Sequence, residues 1–485
     1  MTLRLKVVDS RVGIHNAFTR MPFRFGVVTM TAAPVATLEV TVETTDGRRE
    51  RGYAGDFLAY KWFDKRPEKT AADNVHDLLS AMREARAIYQ QAEADTPFAL
   101  WRSLHPEIER VVLETGFNRL GASFASSMVE RAIIDAAGRL SGQSFHRMVH
   151  DDTLGIRPQE VLPELSSDDM LAALPETPLE RVALRHTVGL VDPLSAADVE
   201  PDARIDDGFP ETLEAYLHED KLRYLKVKVS GEADKDIDRL TRIAEILRQH
   251  DRPVSISLDG NEQYRSIDGF AELMEHIRAT PALADFYKAI LFIEQPLTRD
   301  VAMDEVIGPE AAATIGRPLI IDEADGWTTA FHEATRLGYH GVSHKNCKGV
   351  FRSLVNSALA HRLNSQAGEQ RYFLSAEDLT TLPVVPLQAD LAVVATLGIP
   401  HVERNGHHYF RGLDHLPGET QEAALAAHPD LYERRAGGVS LRISEGGLQV
   451  SSLQLPGLGV GTPPSLETAI PEETWSFDML AREDS

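Results

Sequence analysis

One cysteine in 485 residues, Cys347, leaves no intrachain disulfide to staple the chain. The fold must then rest on its apolar core, and a reducing, cytoplasmic setting is the expectation. No apolar run in the sequence approaches the roughly 20 residues of a membrane span. The opening MTLRLKVVDSRVG has no apolar segment after its basic residues, so no secretory leader is expected. Basic residues are scarce: 50 Lys and Arg stand against 74 Asp and Glu, a formal net charge of −24. A nucleic-acid surface needs a basic stripe, and none is visible, so neither nucleic acid nor membrane is an expected partner. What remains is ordinary for a globular chain, with 43% hydrophobic and 26% charged residues. The length points to two or three domains, or to one barrel with an added domain.

The first 150 residues read as α+β. VATLEVTVETTDGRRERGYAG alternates apolar and polar residues around Asp46-Gly47, a hairpin signal. A helix follows near 71–95. Another opens at SSMVERAIIDAAGRLSG, where Ser127 and Glu130 make a capping box and Gly142 a stop. After residue 150 the rhythm changes. Short apolar runs recur at 181–190, 222–229, 253–259, 289–294, 318–323, 340–345, 371–377 and 391–399, separated by helical stretches. Strand and helix alternating at a period near 30 residues means βαβ units and a parallel sheet. About eight such strands predict a TIM-type barrel. Residues 192–218 are acidic and contain proline, and read as a surface loop with one helix. From about 400 the chain becomes strand-like with glycine turns and is expected to fold back on the first domain. Its GLGVG is no dinucleotide loop, because Pro463-Pro464 forbids a helix start there.

The chemistry lies at the ends of the apolar runs. The second carries Lys226 and Lys228 in YLKVKVSG, two residues apart and so on one strand face. The third ends at Asp259, the fourth at Glu294, the fifth at Asp322-Glu323, the sixth at Lys345, the seventh at Glu377-Asp378. Barrel active sites are assembled at that carboxyl-terminal face. Asp259, Glu294 and Asp322 supply three hard oxygen ligands of the kind Mg²⁺ takes. Lysines on the flanking strands offer bases. A divalent cation on a carboxylate's oxygens stabilises the charge that builds when the α-proton leaves. A second ammonium beside Lys228, together with partial burial, is expected to lower its pKa toward neutrality.

Taken together, Lys226-x-Lys228, Asp259, Glu294 before Gln295-Pro296, Asp322-Glu323 and Lys345 resemble the enolase superfamily, closest to its muconate-lactonizing subgroup. RMPFRFG at 20–26, the helix at 126–142 and PGLGVG resemble parts of its capping domain. The resemblance implies a (β/α)7β-like modified barrel at 151–400. It also implies a capping domain at 1–150, completed by a C-terminal segment at 401–485. It implies Mg²⁺ on Asp259, Glu294 and Asp322, Lys228 as base on one substrate face, and Lys345 as acid or base on the other. Lys226 would lie at the substrate carboxylate and tune Lys228. Glu377, or its neighbour Asp378, would touch the substrate, and Asn261 would sit beside the metal and substrate. Cap loops at 20–25 and 56–61 would close over the barrel, and homo-oligomers are common among relatives. The chain departs from relatives at DEA, where DES is frequent, and at NCKGV, where paired glycines are frequent.

Three functions fit these residues. The first is a racemase or epimerase of a small-molecule carboxylate. The second is a lyase using the same enolate, a dehydratase or cycloisomerase with Lys345 or His344 as the acid. The third is a barrel that only binds metal or ligand. Asp325, His340 and Cys347 lie near strand ends without an assigned role, and His407-His408 lacks a partner at ligand spacing.

Overall fold

Period-two alternation in the first 57 residues produces three antiparallel strands: β1 (Leu5–Phe25), β2 (Val28–Thr44) and β3 (Arg49–Phe57). In this computed structural model, which describes residues 2–25, 28–377 and 379–481, β2 and β3 turn at Gly47, whose φ of 85° suits glycine. Helices α1 (Ala71–Gln91) and α3 (Arg119–Ser141) pack on the sheet, and α2 (Pro97–Glu114) packs on both of them. Thr70 and Asp73 close a capping box on α1.

Helix α3 starts earlier than its sequence signals imply. Asn118 is its N-cap, and Ser127 and Glu130 lie in its interior, so they form no capping box. Their polar groups serve the barrel instead. Ser127 Oγ donates to Cys347 O at 3.0 Å, and Glu130 Oε1 accepts from Phe351 N at 2.6 Å. Buried Asp135 accepts from Tyr53 N at 3.0 Å and Leu458 N at 2.7 Å, tying β3 and the C-terminal segment to α3. Beside it the two backbones come close enough to need glycine: a Cβ at Gly138 would lie 2.5 Å from Gly457 N. The C-terminal segment also adds Ile470–Pro471 to the free edge of β1.

The second layer is a closed parallel barrel. Its strands are β4 (Arg181–Val188), β5 (Tyr224–Lys228), β6 (Ser255–Asp259), β7 (Ile290–Glu294), β8 (Leu319–Ile321), β9 (Gly341–His344), β10 (Phe373–Ala376) and β11 (His401–Arg404). They pair in chain order, and β11 closes on β4. The eighth strand is therefore not 391–399. That run belongs to the helix Val385–Leu397, ended by Gly398 in the left-handed region, φ 71°. Every residue of this helix is buried, so it shows no polar face, and an apolar run without periodicity reads equally as a strand.

The 192–218 stretch carries one α-helix, Leu213–Glu219, and two short 3₁₀ turns. It is clamped to the cap: Arg20 bonds both Asp207 oxygens at 2.7 Å, and also Pro210 O and His408 O. Arg20 thus holds the insertion. Among the described residues no helix is long and apolar enough to cross a membrane.

A buried ion pair underlies the cap. Arg131 of α3 donates to Asp56 Oδ2 at 2.8 Å and to Gly55 O at 2.9 Å, with both side chains buried. Burial nevertheless pushes the Asp56 carboxyl up to about 6. Arg131→Ala leaves that carboxylate unpaired and is expected to cost about 3–5 kcal/mol in urea unfolding. Asp56→Asn in the same background should recover part of it. A single-variant loss under about 1 kcal/mol, the range of an exposed pair, contradicts this account of the cap.

Candidate active site

The strand ends bring the sequence-selected charges together at one end of the barrel. Register sets the first contacts, because Lys228 pairs with Asp259 across β5–β6 and Asp259 with Glu294 across β6–β7. The turns after these strands are built to hold them. Gly260 passes so close to the next loop that a Cβ there would lie 2.4 Å from Pro296 Cα. Gln295 follows Glu294 and accepts from Asp322 N at 2.8 Å, fixing the end of β8 beside β7.

Lys226 is the hub. Its Nζ lies 2.7 Å from Glu294 Oε1, 3.0 Å from Glu403 Oε2, 3.1 Å from Glu377 Oε2 and 3.2 Å from Asp259 Oδ2. Burial opposes its charge, but the four carboxylates outweigh that and hold its pKa well above a free lysine's. Lys226 is expected from the sequence to lie at the substrate carboxylate and tune Lys228; here its ammonium is taken up by four carboxylates.

The other two lysines are related as a pair. Lys228 Nζ lies 3.1 Å from Asp259 Oδ2, and Lys345 Nζ lies 3.3 Å from Asp322 Oδ2. Each flanks the outer acid of the row β6–β7–β8, with Glu294 in the middle. Asp322 carries two more partners, Lys348 Nζ at 2.8 Å and the Ser343 hydroxyl, and the Lys345 and Lys348 ammoniums hold its carboxyl well below the usual range despite burial. Asp322 in turn pushes the Lys345 ammonium pKa up against its desolvation.

A cavity of about 940 Å³ opens between barrel and cap. Lys226, Lys228, Asp259, Asn261, Asp322 and Lys345 reach it from the barrel. Glu294 lies beneath Lys226, and its Oε2 is buried without a hydrogen-bond partner. Desolvation and neighbouring Glu377 raise its pKa well above normal. Glu377 is not among the lining residues: Arg185, Ser375 and Lys226 take its oxygens, so it buttresses the hub from below. Asp378 lies outside the described residues. Asn261, with φ 45°, donates its backbone N–H to Asp259 Oδ1 at 2.7 Å. His344 turns away to Ser353 Oγ at 2.7 Å and does not line the cavity, whereas Lys345, the residue after β9, does. Cys347 and Asp325 are buried, Asp325 lying 3.7 Å from Lys348, and His340 stacks on Tyr372. His407 meets His186 at 3.0 Å, while His408 meets Tyr216 at 2.8 Å.

Sequence reasoning missed Glu403, Lys348, Arg185 and the cap's Trp62. Glu403 escaped because the eighth strand was placed ten residues early; read as a strand, HVER would have put Glu403 at its end. Trp62 lies in a loop, its ring centroid 5.5 Å from Lys345 Nζ, and nothing in local periodicity marks it.

Three oxygen-donor side chains on adjacent strands, with one buried carboxylate oxygen unsatisfied, match the donor set of a hard divalent cation. As the side chains stand, no three His, Cys, Asp or Glu among the described residues converge to hold a metal ion. Lys226 accounts for this at Asp259 and Glu294, because its ammonium contacts both carboxylates; a metal ion there requires it to draw back toward Glu377 and Glu403.

No protein-family model matches this chain, and no curated protein does. Solved structures do, along nearly its whole length, and they are consistently mandelate racemase/muconate lactonizing enzyme-like members of the enolase superfamily. A dipeptide epimerase from Enterococcus faecalis, complexed with Mg and L-Leu-L-Tyr, is similar at 16% identity and TM-score 0.57, covering 94% of this chain and 99% of its own. Muconate lactonizing enzyme from Pseudomonas fluorescens, complexed with muconolactone, is 15% identical with TM-score 0.57, covering 95% and 97%. An enolase from Bradyrhizobium, complexed with magnesium and mandelic acid, is 15% identical with TM-score 0.56, again covering 95% and 97%. What this chain shares with them is the fold: a capped parallel barrel, as its residues predict.

Proposed function

We propose that this chain is a divalent-cation-dependent enzyme that removes the α-proton of a carboxylate substrate and returns one on the opposite face, a racemase or epimerase. The observation that carries the reading is the placement of Lys228 and Lys345. Both reach one cavity, from strands on opposite sides of the acid row, each beside that row's outer carboxylate. The oxygens of Asp259, Glu294 and Asp322 would hold the cation, which when bound supplies Lewis-acid stabilisation of charge on the substrate carboxylate. Lys228 Nζ takes the proton as the α C–H bond breaks, and the electron pair spreads onto the carboxyl oxygens. Lys345, held as an ammonium by Asp322, delivers a proton to the other face of the same carbon. The reverse direction exchanges the two roles. The magnesium and acid ligands named for the similar structures accord with this chemistry.

The direct test is incubation of 2-substituted acids in D₂O with Mg²⁺, following the α-proton signal by NMR. Exchange with inversion is the expected result, abolished by EDTA and restored by Mg²⁺. A 2-keto acid product instead identifies the lyase outcome of the same deprotonation. No exchange across a broad acid panel rejects both.

A further inference from the structure

We propose that the substrate is an acid whose α-carbon carries a large apolar, preferably aromatic, substituent, received by a wall that Trp62, Phe23, Met30 and Leu379 form. This rests on the proton-transfer reading above. It commits the site to one class of acid and sets it against the polyhydroxylated sugar acids that the same strand-end residues could also process.

Electrostatics select the carboxylate end. Among the described residues eight basic and six acidic side chains line the cavity, in a chain with 50 basic and 74 acidic residues overall. The cavity is a positive region on an acidic protein, which draws anions in and fixes which end of the substrate points down.

The other end is selected by the roof. A carbon placed between Lys228 and Lys345, with its carboxylate toward the strand-end acids, must direct its remaining substituent toward the cap. There the Trp62 indole stands over Lys345, 5.5 Å from its Nζ. Phe23 is fixed by stacking on Tyr409 at 4.0 Å, and Met30 adds an adaptable thioether. A sugar acid would need hydrogen-bonding groups on this side, but three cations of the rim are already held by carboxylates. Arg66 holds Asp64 at 2.6 Å, Lys69 holds Asp77 at 2.8 Å, and Arg299 holds Glu262 at 2.8 Å while its Nη atoms bond Trp62 O and Phe63 O at 3.0 Å. Burying hydroxyls against ring faces without partners is unfavourable, whereas burying another ring is favourable. The volume, about 940 Å³, accommodates a ring as well as the reacting carboxylate.

The test compares mandelate and 3-phenyllactate with gluconate and glycerate. Deuterium exchange is read by NMR, and binding is read separately by calorimetry, on the Mg²⁺-supplemented wild type and on Trp62→Ala and Trp62→Phe. The aromatic acids are expected to exceed the sugar acids about 100-fold in kcat/KM. Trp62→Ala should raise their KM and Kd about tenfold with little change in kcat, and Trp62→Phe should keep the preference. Gluconate or glycerate exchanged as fast as the aromatic acids overturns the substrate class and leaves the proton-transfer reading standing. Aromatic acids that bind through Trp62 without exchanging keep the class and overturn the reaction. Neither binding nor exchange of any of the four overturns the class.

Discussion

Lys228→Ala is expected to slow α-proton exchange of one enantiomer by about a thousandfold, while the other enantiomer still exchanges. The asymmetry follows from the geometry. Lys228 reaches the cavity from β5 and Lys345 from β9, with the acid-bearing strands β6, β7 and β8 between them. A substrate whose carboxylate points at those acids presents its α-hydrogen to one lysine in one configuration and to the other in its mirror image. Removing Lys228 therefore removes the base for one isomer only, and Lys345→Ala should give the opposite selectivity. Exchange is measured in D₂O on each pure enantiomer, so that net racemisation does not mask the loss. Equal residual exchange of both isomers in Lys228→Ala rejects the two-base assignment. Equal loss of both would assign Lys228 to positioning rather than to proton transfer.

The acids and lysines of β5 to β9 were legible because each sits at the carboxyl end of an apolar run, a position that two-sided burial of a parallel strand makes conspicuous. What surrounds them was not legible. Lys226 looked like a neighbour repelling Lys228, since sequence shows spacing along one strand but not the side chains arriving from β7, β10 and β11. Glu377 looked like a substrate contact, because its position at a strand end does not reveal that Arg185 and Lys226 occupy its oxygens. Ser127 and Glu130 looked like a helix start, because a capping box and a pair of interior polar residues aimed at another domain have the same i, i+3 spacing. The eighth strand was lost to a helix buried on every side, and Glu403 with it. Each miss concerns a contact between segments far apart in the chain, where local pattern carries no information.

Lys226 is where that distant information concentrates, and Lys226→Met is expected to be the most destabilising substitution in the barrel. Methionine matches the side chain's length but removes the ammonium that Asp259, Glu294, Glu377 and Glu403 share, leaving Asp259 only Lys228 and Glu377 only Arg185. Breaking one buried pair typically costs about 3–5 kcal/mol, and here one cation serves four carboxylates, so a loss at or above that range is expected at neutral pH. The pH dependence gives a second signature. In the wild type the folded-state pKa of Lys226 is raised, so its contribution is complete below the ordinary lysine value, about 10.4, and is lost only as pH rises past it toward the folded value. It is therefore constant from pH 5 to 9. In the variant Glu294 loses the ammonium that opposes its burial, so its pKa, already raised, rises further above that of the unfolded chain. The native state then binds more protons than the unfolded one, and stability falls as pH climbs above about 4.5. The gap between the proteins in urea unfolding should widen from pH 5 to pH 8, and Mg²⁺ should narrow it by supplying the missing positive charge. A gap that is small at pH 8, or flat with pH, means that Lys226 does not carry the charge balance of the site.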